Sequence, residues 1–93
     1  PIGYWHGYPR ALSSIGHVSV KGQTSRVVGR VSMDMIVVDV TDIKGVGEGD
    51  EVTLIGSSPD SKASAEEISN ILDASWYELI TRINPLIKRI YLG

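Results

Sequence analysis

The chain has 93 residues, of which 42% are hydrophobic and 22% charged, and its formal net charge is −2. That length allows one small domain with a modest core, and the dispersed Lys and Arg argue against nucleic acid as the main partner. No apolar run approaches the roughly 20 residues that span a bilayer. The absence of cysteine excludes disulfides and thiolate metal sites and fits a cytoplasmic protein, and the start at Pro1 indicates a piece of a longer one.

Residues 1–10 form an aromatic segment punctuated by glycine. They hold three of the six Tyr and Trp residues of the chain, together with Gly3, Gly7 and Pro9. Glycine permits close backbone approach and positive φ, and Pro9 favours an extended Tyr8. We predict a strand end that leads into a shaped loop. Its aromatic rings either line a site or cap the open end of a barrel.

A hairpin is predicted next. Residues 17–20 alternate polar and apolar side chains, and residues 21–22 (Lys-Gly) form a plausible two-residue turn into a strand over residues 24–31. His17 has the parity of the polar face and is interpreted as a solvated strand residue. Two histidines in separate segments, without cysteine, predict no metal site.

The longest β-branched stretch, residues 28–40, is predicted to be a strand. Its polar residues Arg30, Ser32 and Asp34 occupy alternate positions and would project from one face. Basic, hydroxyl and acidic groups on one face of an apolar strand are typical of the wall of a site. On these residues alone, a solvent-facing strand with an incidental ion pair is the simpler interpretation.

The other β elements and connectors are shorter. Residues 41–50 are glycine-rich and acidic but do not open a helix, so a surface turn is favoured over a phosphate-binding loop. Alternation predicts strands at residues 51–55 and 87–92, and residues 57–62 form a polar loop.

Two capping-box patterns predict two short helices. Ser64 and Glu67 flank the start of a helix over residues 65–72, and Ser75 begins a second helix whose apolar stripe extends to Ile83. Tyr77 lies in the first turn of that helix, about 100° from the apolar stripe. Free N–H groups there favour an anion, although a half-exposed tyrosine that packs at an edge is the simpler interpretation of this residue alone.

The predicted fold is therefore mostly β, a small closed β-barrel with two short helices, in one domain spanning residues 1–93. No nucleophile lies beside an evident base, and no lysine has the apolar enclosure expected of a Schiff-base lysine. These residues alone predict a β-domain that contributes a polar wall to a site completed elsewhere.

Several motifs together resemble the C-terminal domain of bacterial alanine racemase, in order and spacing, over essentially the whole chain. They are Gly3-Tyr4-Trp5-His6-Gly7-Tyr8-Pro9-Arg10, Gly29-Arg30-Val31-Ser32-Met33-Asp34, Gly49-Asp50-Glu51-Val52, Leu54-Ile55-Gly56, Ser64-Ala65-Glu66-Glu67, Tyr77-Glu78 and Arg89-Ile90-Tyr91. The resemblance implies a homodimer that uses pyridoxal 5'-phosphate (PLP). It also implies an N-terminal α/β barrel, absent from this chain, that carries the Schiff-base lysine, while the β-domain reaches into the partner's active site.

The resemblance also implies roles for single residues on the substrate side. Met33 corresponds to the residue whose backbone N–H binds the substrate carboxylate, a role that needs a local conformation more than a particular side chain. Asp34 would stand beside that site and orient neighbouring polar groups. Tyr4 resembles a tyrosine that lines the inner mouth of the substrate channel.

Further out, Arg10 and Arg30 resemble arginines of the entryway, where positive charge attracts a carboxylate. Tyr77 matches a tyrosine whose hydroxyl binds the cofactor phosphate. His6 departs from the family, which usually has Asp there, and this changes the local charge. The family's catalytic lysine and tyrosine lie upstream of Pro1, so we expect no catalytic residue in this chain and no racemisation by the chain alone.

The function implied is interconversion of L- and D-alanine for peptidoglycan synthesis, with alanine as substrate and PLP as cofactor. One alternative is a serine or broad-specificity amino-acid racemase domain. Another is a stand-alone β-barrel interaction module that keeps the scaffold without the enzyme.

Overall fold

A computed structural model describes residues 1–56 and 62–92 and shows a mostly β fold. Its four strands are β1 (His17–Val20), β2 (Gln23–Val28), β3 (Val37–Val38) and β4 (Val52–Thr53). All pairings are antiparallel, in the order β3-β2-β1-β4. Two helices follow, α1 (Ala65–Leu72) and α2 (Trp76–Thr81), and two 3₁₀ turns, Tyr4–His6 and Arg10–Leu12, precede β1.

The predicted β1–β2 hairpin is confirmed, and its turn has a simple backbone cause. Lys21 and Gly22 have φ of 50° and 74°, and a two-residue turn with positive φ at both central positions matches the right-handed twist of the flanking strands. The turn sets the register in which Val20 pairs with Gln23 and His17 with Arg26.

The core lies between the sheet and the two helices. Val18 and Val20 are buried while Ser19 between them is not, as period-two alternation requires. Ile68 of α1 and Leu79 of α2 cover this face. The other buried members of the cluster are Tyr8, Leu12, Val27, Val31 and Ile43.

Both helices begin at the predicted caps. The Ser64 and Ser75 hydroxyls accept hydrogen bonds of 3.2 Å from the N–H groups of Glu67 and Glu78, which satisfies one free donor at each helix start. The bounds of α1 are those predicted. Helix α2 ends at Thr81, two residues before the predicted Ile83.

The predicted closed barrel is wrong. The sheet curls into a half-barrel, and β3 and β4 are its two edges with no pairing between them in the described residues. Ile36 and Val38 on one edge face Val52 and Leu54 on the other across a cleft that Ile2 partly lines. Edges only two residues long offer too few ladder bonds for closure.

The predicted continuous strand over residues 28–40 is also wrong. Strand β2 ends at Val28, Gly29 adopts a φ of 75°, and regular structure resumes only at β3. A positive φ breaks the pleat, so Arg30, Ser32 and Asp34 do not share a strand face.

Residues 87–92 form no strand, because no neighbouring strand pairs with them in the described part of the chain. Ile90, Tyr91 and Leu92 are 74%, 88% and 94% exposed. Of the strand predicted over residues 51–55, only β4 forms. The predicted polar loop covers residues 57–62, of which residues 57–61 lie outside the described residues.

Candidate functional site

A tight loop over residues 32–35, here called the Met33 loop, contains two backbone N–H groups that have no acceptor within the described residues. The Ser32 N–H and hydroxyl both donate to the Met35 carbonyl, at 3.1 and 2.7 Å, and this closes the loop. Met33 is 52% exposed. Within the part of the chain that the structure describes, the N–H groups of Met33 and Asp34 donate to no acceptor.

The aromatic segment, residues 3–8, holds the Met33 loop in place. The Tyr4 N–H donates to the Ser32 carbonyl and the Trp5 N–H to the Met33 carbonyl, both at 3.0 Å. Gly3 permits this approach, because a Cβ there would overlap the Ser32 carbonyl oxygen and lie 2.6 Å from the Asp34 nitrogen. The structure thus brings together three predicted site residues, Tyr4, Met33 and Asp34.

His6 has a structural role in this segment. Its Nδ1 accepts a 3.0 Å hydrogen bond from the Gly3 N–H, and its ring meets Trp5 edge-on at 4.9 Å. A carboxylate could accept the same bond. His6 therefore supplies an acceptor for Gly3 that an Asp, the residue implied there by the resemblance, would also supply.

The end of α2 contacts the opposite side of the aromatic segment. Asn84 donates its N–H to the His6 carbonyl at 3.0 Å and its side-chain Nδ2 to the Trp5 carbonyl at 2.9 Å. Gly7, with a φ of 106°, lies against the backbone of Arg82 and Ile83, where a Cβ would come within 2.5 Å of the Arg82 carbonyl oxygen. A side chain at Gly7 would separate these elements.

Tyr4, Arg10 and Arg82 line one open groove of about 520 Å³. Arg30 lies outside it, and Ser13 joins the Arg10 carbonyl to the N–H of Val31, the residue that follows Arg30. The Ser13 hydroxyl donates to the Arg10 carbonyl at 2.6 Å and accepts from the Val31 N–H at 2.9 Å. Neither Arg10 nor Arg30 forms an ion pair in residues 1–56 and 62–92.

Tyr77 lies apart from these groups, at the start of α2. Its ring stacks on Trp76 with 3.7 Å between centroids and is 65% exposed. Its hydroxyl makes no hydrogen bond, and nothing joins it directly to the Met33 loop among the residues that the structure covers. The hydroxyl is therefore a free donor beside the first turn of a helix.

Among the residues that the structure describes, three titratable groups have clearly perturbed pKa values, and none lies in the Met33 loop. Burial raises the pKa of Tyr8 to about 12. Burial lowers the pKa of His17, and the positive charges of Lys62 and Arg26 lower it further. His17 was predicted to be a solvated strand residue, but in the structure it is half-buried. Hydrogen bonds from Thr41 lower the pKa of Asp39.

No helix among the described residues is long and apolar enough to cross a membrane. In the same residues no three His, Cys, Asp or Glu side chains gather as metal ligands.

The sequence alone did not identify Ser13 or Asn84. The partner of each side chain is distant in sequence: Asn84 and Trp5 are 79 residues apart, and Ser13 and Val31 are 18 apart. No local pattern encodes such pairs.

The family model described as "Alanine racemase, C-terminal domain" matches residues 1–91. The chain is 45% identical over 91 residues to an alanine racemase of Halothermothrix orenii, which covers 98% of the chain and 24% of that protein. It is 47% identical over 83 residues to one of Syntrophobacter fumaroxidans, which covers 89% of the chain and 22% of that protein. The chain thus spans about a quarter of the length of these relatives.

Solved structures agree. Alanine racemase from Clostridium difficile 630 superposes with a TM-score of 0.89 at 34% identity, over 100% of this chain and 25% of that one. Alanine racemase from Bartonella henselae, solved with covalently bound pyridoxal phosphate, superposes with a TM-score of 0.85 at 39% identity, over 98% of this chain and 26% of that one.

Proposed function

The chain belongs to the alanine racemase C-terminal domain family, and on this basis we propose that the whole protein is a PLP-dependent alanine racemase. It interconverts L- and D-alanine and so supplies D-alanine for peptidoglycan synthesis in the cytoplasm. Because the chain spans only about a quarter of its relatives, an N-terminal α/β barrel with the catalytic lysine, and the catalytic tyrosine, are proposed to lie in the rest of the protein.

The observation that carries this proposal is the free N–H of Met33, held in a fixed place. A backbone donor that already points to where a carboxylate will sit needs no reorganisation on binding. The Ser32–Met35 bonds close the loop, and the bond from Trp5 to the Met33 carbonyl fixes the same residue from its other side. Such a site accepts the carboxylate common to both alanine enantiomers without contacting the side chain.

Tyr77 fits a role in holding the cofactor phosphate. Its exposed hydroxyl has no partner among the described residues, and the stacked Trp76 ring fixes its direction. A phenol O–H donates a charge-assisted hydrogen bond to a phosphate oxygen. PLP, when bound, supplies an electron sink for the charge left on the substrate α-carbon when its proton is removed.

Arg10 and Arg30 fit an entryway for a carboxylate substrate. Both guanidinium groups are exposed and lack carboxylate partners in the described part of the chain. The field of two unpaired cations raises the local concentration of an anionic group. Tyr4, which shares the groove with Arg10 and adjoins the Met33 loop, connects this entry to the carboxylate site.

The chain by itself is expected to be inactive. Its lysines, Lys21, Lys44, Lys62 and Lys88, are all exposed, whereas a Schiff-base lysine is usually activated in a desolvated pocket or beside another cation. The site therefore needs groups from elsewhere. We propose that they come from the N-terminal domain and from the second subunit of a homodimer.

The test is made on the whole protein that contains this chain. Borohydride reduction should yield a PLP-modified lysine upstream of Pro1, D-alanine should form from L-alanine, and the molecular mass in solution should be that of a dimer. Comparable kcat/KM values for alanine, serine and lysine would instead support a broad-specificity racemase. A monomer without a lysine adduct would refute the proposal and favour a binding module.

A further inference from the structure

Trp5 is held from two sides, and only one of them belongs to the proposed substrate site. Its N–H donates to the Met33 carbonyl at 3.0 Å, and its carbonyl accepts from Asn84 Nδ2 at 2.9 Å. Within residues 1–56 and 62–92, Asn84 forms no hydrogen bond with Met33 or with any group proposed to bind substrate. It acts on the Met33 loop only through Trp5.

We propose that Asn84 is a positioning residue for substrate binding: its side-chain amide fixes Trp5, and Trp5 fixes the Met33 N–H that receives the substrate carboxylate. The expected effect on kinetics rests on the proposed function, whereas the hydrogen bond from Asn84 to Trp5 does not. Nothing in the local sequence around Asn84 would assign it to a substrate site.

The amide is suited to this role because it is fixed at both of its ends. Oδ1 accepts a 2.9 Å hydrogen bond from the Leu86 N–H, which orients Nδ2 toward the Trp5 carbonyl. A carboxylate at this position could keep the bond from Leu86 but has no donor for Trp5. The two bonds can therefore be separated by substitution.

Loss of the amide need not detach α2 from the aromatic segment. The backbone N–H of Asn84 donates separately to the His6 carbonyl at 3.0 Å, and Gly7 still lies against Arg82 and Ile83. The substitution should therefore affect the Met33 loop through Trp5. Tyr77 should stay in place, because it lies near the start of α2, five residues before the C-cap residue Arg82.

The experiment compares Asn84→Ala and Asn84→Asp in the full-length enzyme, with Asn70→Ala as control, since Asn70 is exposed on α1. Both Asn84 variants should raise KM for alanine in both directions by about 3- to 10-fold, the effect of one lost hydrogen bond, with kcat within about twofold. Hydrogen–deuterium exchange should accelerate in peptides that contain Trp5 and Met33. PLP dissociation should stay within twofold of the unsubstituted enzyme.

Three results would overturn the inference. Asn84→Asp that behaves like the unsubstituted enzyme would show that the donor to Trp5 is not used. Parallel losses in KM, kcat, PLP retention and thermal stability would show a merely structural role, as would equal effects of Asn70→Ala. An enzyme that does not racemise alanine would refute the proposed function. Hydrogen–deuterium exchange is measured without turnover, so it would still show whether the Asn84 side chain stabilises Trp5 and the Met33 loop.

Discussion

Replacement of Gly3 by Ala tests most directly whether close packing against the Met33 loop sets the substrate site. Gly3 has an extended backbone with φ of −154°, which alanine also adopts, so the effect is steric only. The new Cβ would lie 2.5 Å from the Met33 carbonyl carbon, whereas carbon atoms pack at about 3.5 Å. The loop must therefore retreat by about 1 Å.

That retreat has a calculable consequence. It would stretch the two 3.0 Å hydrogen bonds from Tyr4 and Trp5 beyond useful length, and two such bonds contribute about 1–3 kcal/mol together. Because 1.4 kcal/mol corresponds to a factor of ten, kcat/KM for alanine should fall roughly 5- to 150-fold.

The assay measures initial rates of D-alanine formation by the full-length enzyme over a range of L-alanine concentrations. Gly47→Ala is the matched control, because a Cβ at Gly47 meets no atom within 4 Å and its φ is not positive. If Gly3→Ala keeps a kcat/KM within twofold of Gly47→Ala, the close approach does not set the position of the Met33 N–H, and the reasoning fails.

Three further predictions concern other parts of the site and the core. Met33→Ala should change kcat/KM by no more than about twofold, whereas Met33→Pro, which removes the N–H, should nearly abolish turnover; equal losses would refute a backbone role. Tyr77→Phe should weaken PLP binding about fivefold through the loss of a hydrogen bond of about 1 kcal/mol, measured by PLP dissociation on dilution; an unchanged rate would remove Tyr77 from the cofactor site. The pKa of His17 is lowered from 6.5 in the folded chain, so folding favours the neutral imidazole. The midpoint of urea unfolding should therefore fall as the pH drops below about 6.5, and His17→Gln should make that fall smaller.

The elements that the sequence predicted correctly are those whose signals are local. Helix α1 begins where Ser64 caps it, and the β1–β2 hairpin turns at Lys21-Gly22. Each depends on contacts within four residues, so a short window contains the whole physical cause. The same holds for Ser75 at the start of α2.

The wrong predictions concern pairing between distant segments. The β-branched residues 28–40 favour a strand, but Gly29 turns the chain and the Met33 loop binds the aromatic segment instead of a neighbouring strand. The prediction of a closed barrel was wrong for a related reason. Alternation within residues 87–92 predicts a face but not a partner, and without a partner no strand forms.

The candidate site was predicted in parts. Tyr4, Met33 and Asp34 came from the resemblance, and the structure places them together. The resemblance did not supply the contacts that hold them, because Gly3 and Asn84 act through backbone atoms of other residues. Motif residues identify what binds a ligand more readily than what keeps the binding groups in position.

The contact between Asn84 and Trp5 also bears on when the site can form during synthesis. The two residues are 79 positions apart, so Trp5 leaves the ribosome several seconds before Asn84 at typical rates of about 5–20 residues per second. The hairpin and α1 can fold in that interval from contacts already made. The hydrogen bond from Asn84 to the Trp5 carbonyl can form only after α2 has emerged, and a nascent chain stopped at Thr81 would contain Met33, Tyr4 and both arginines without that bond.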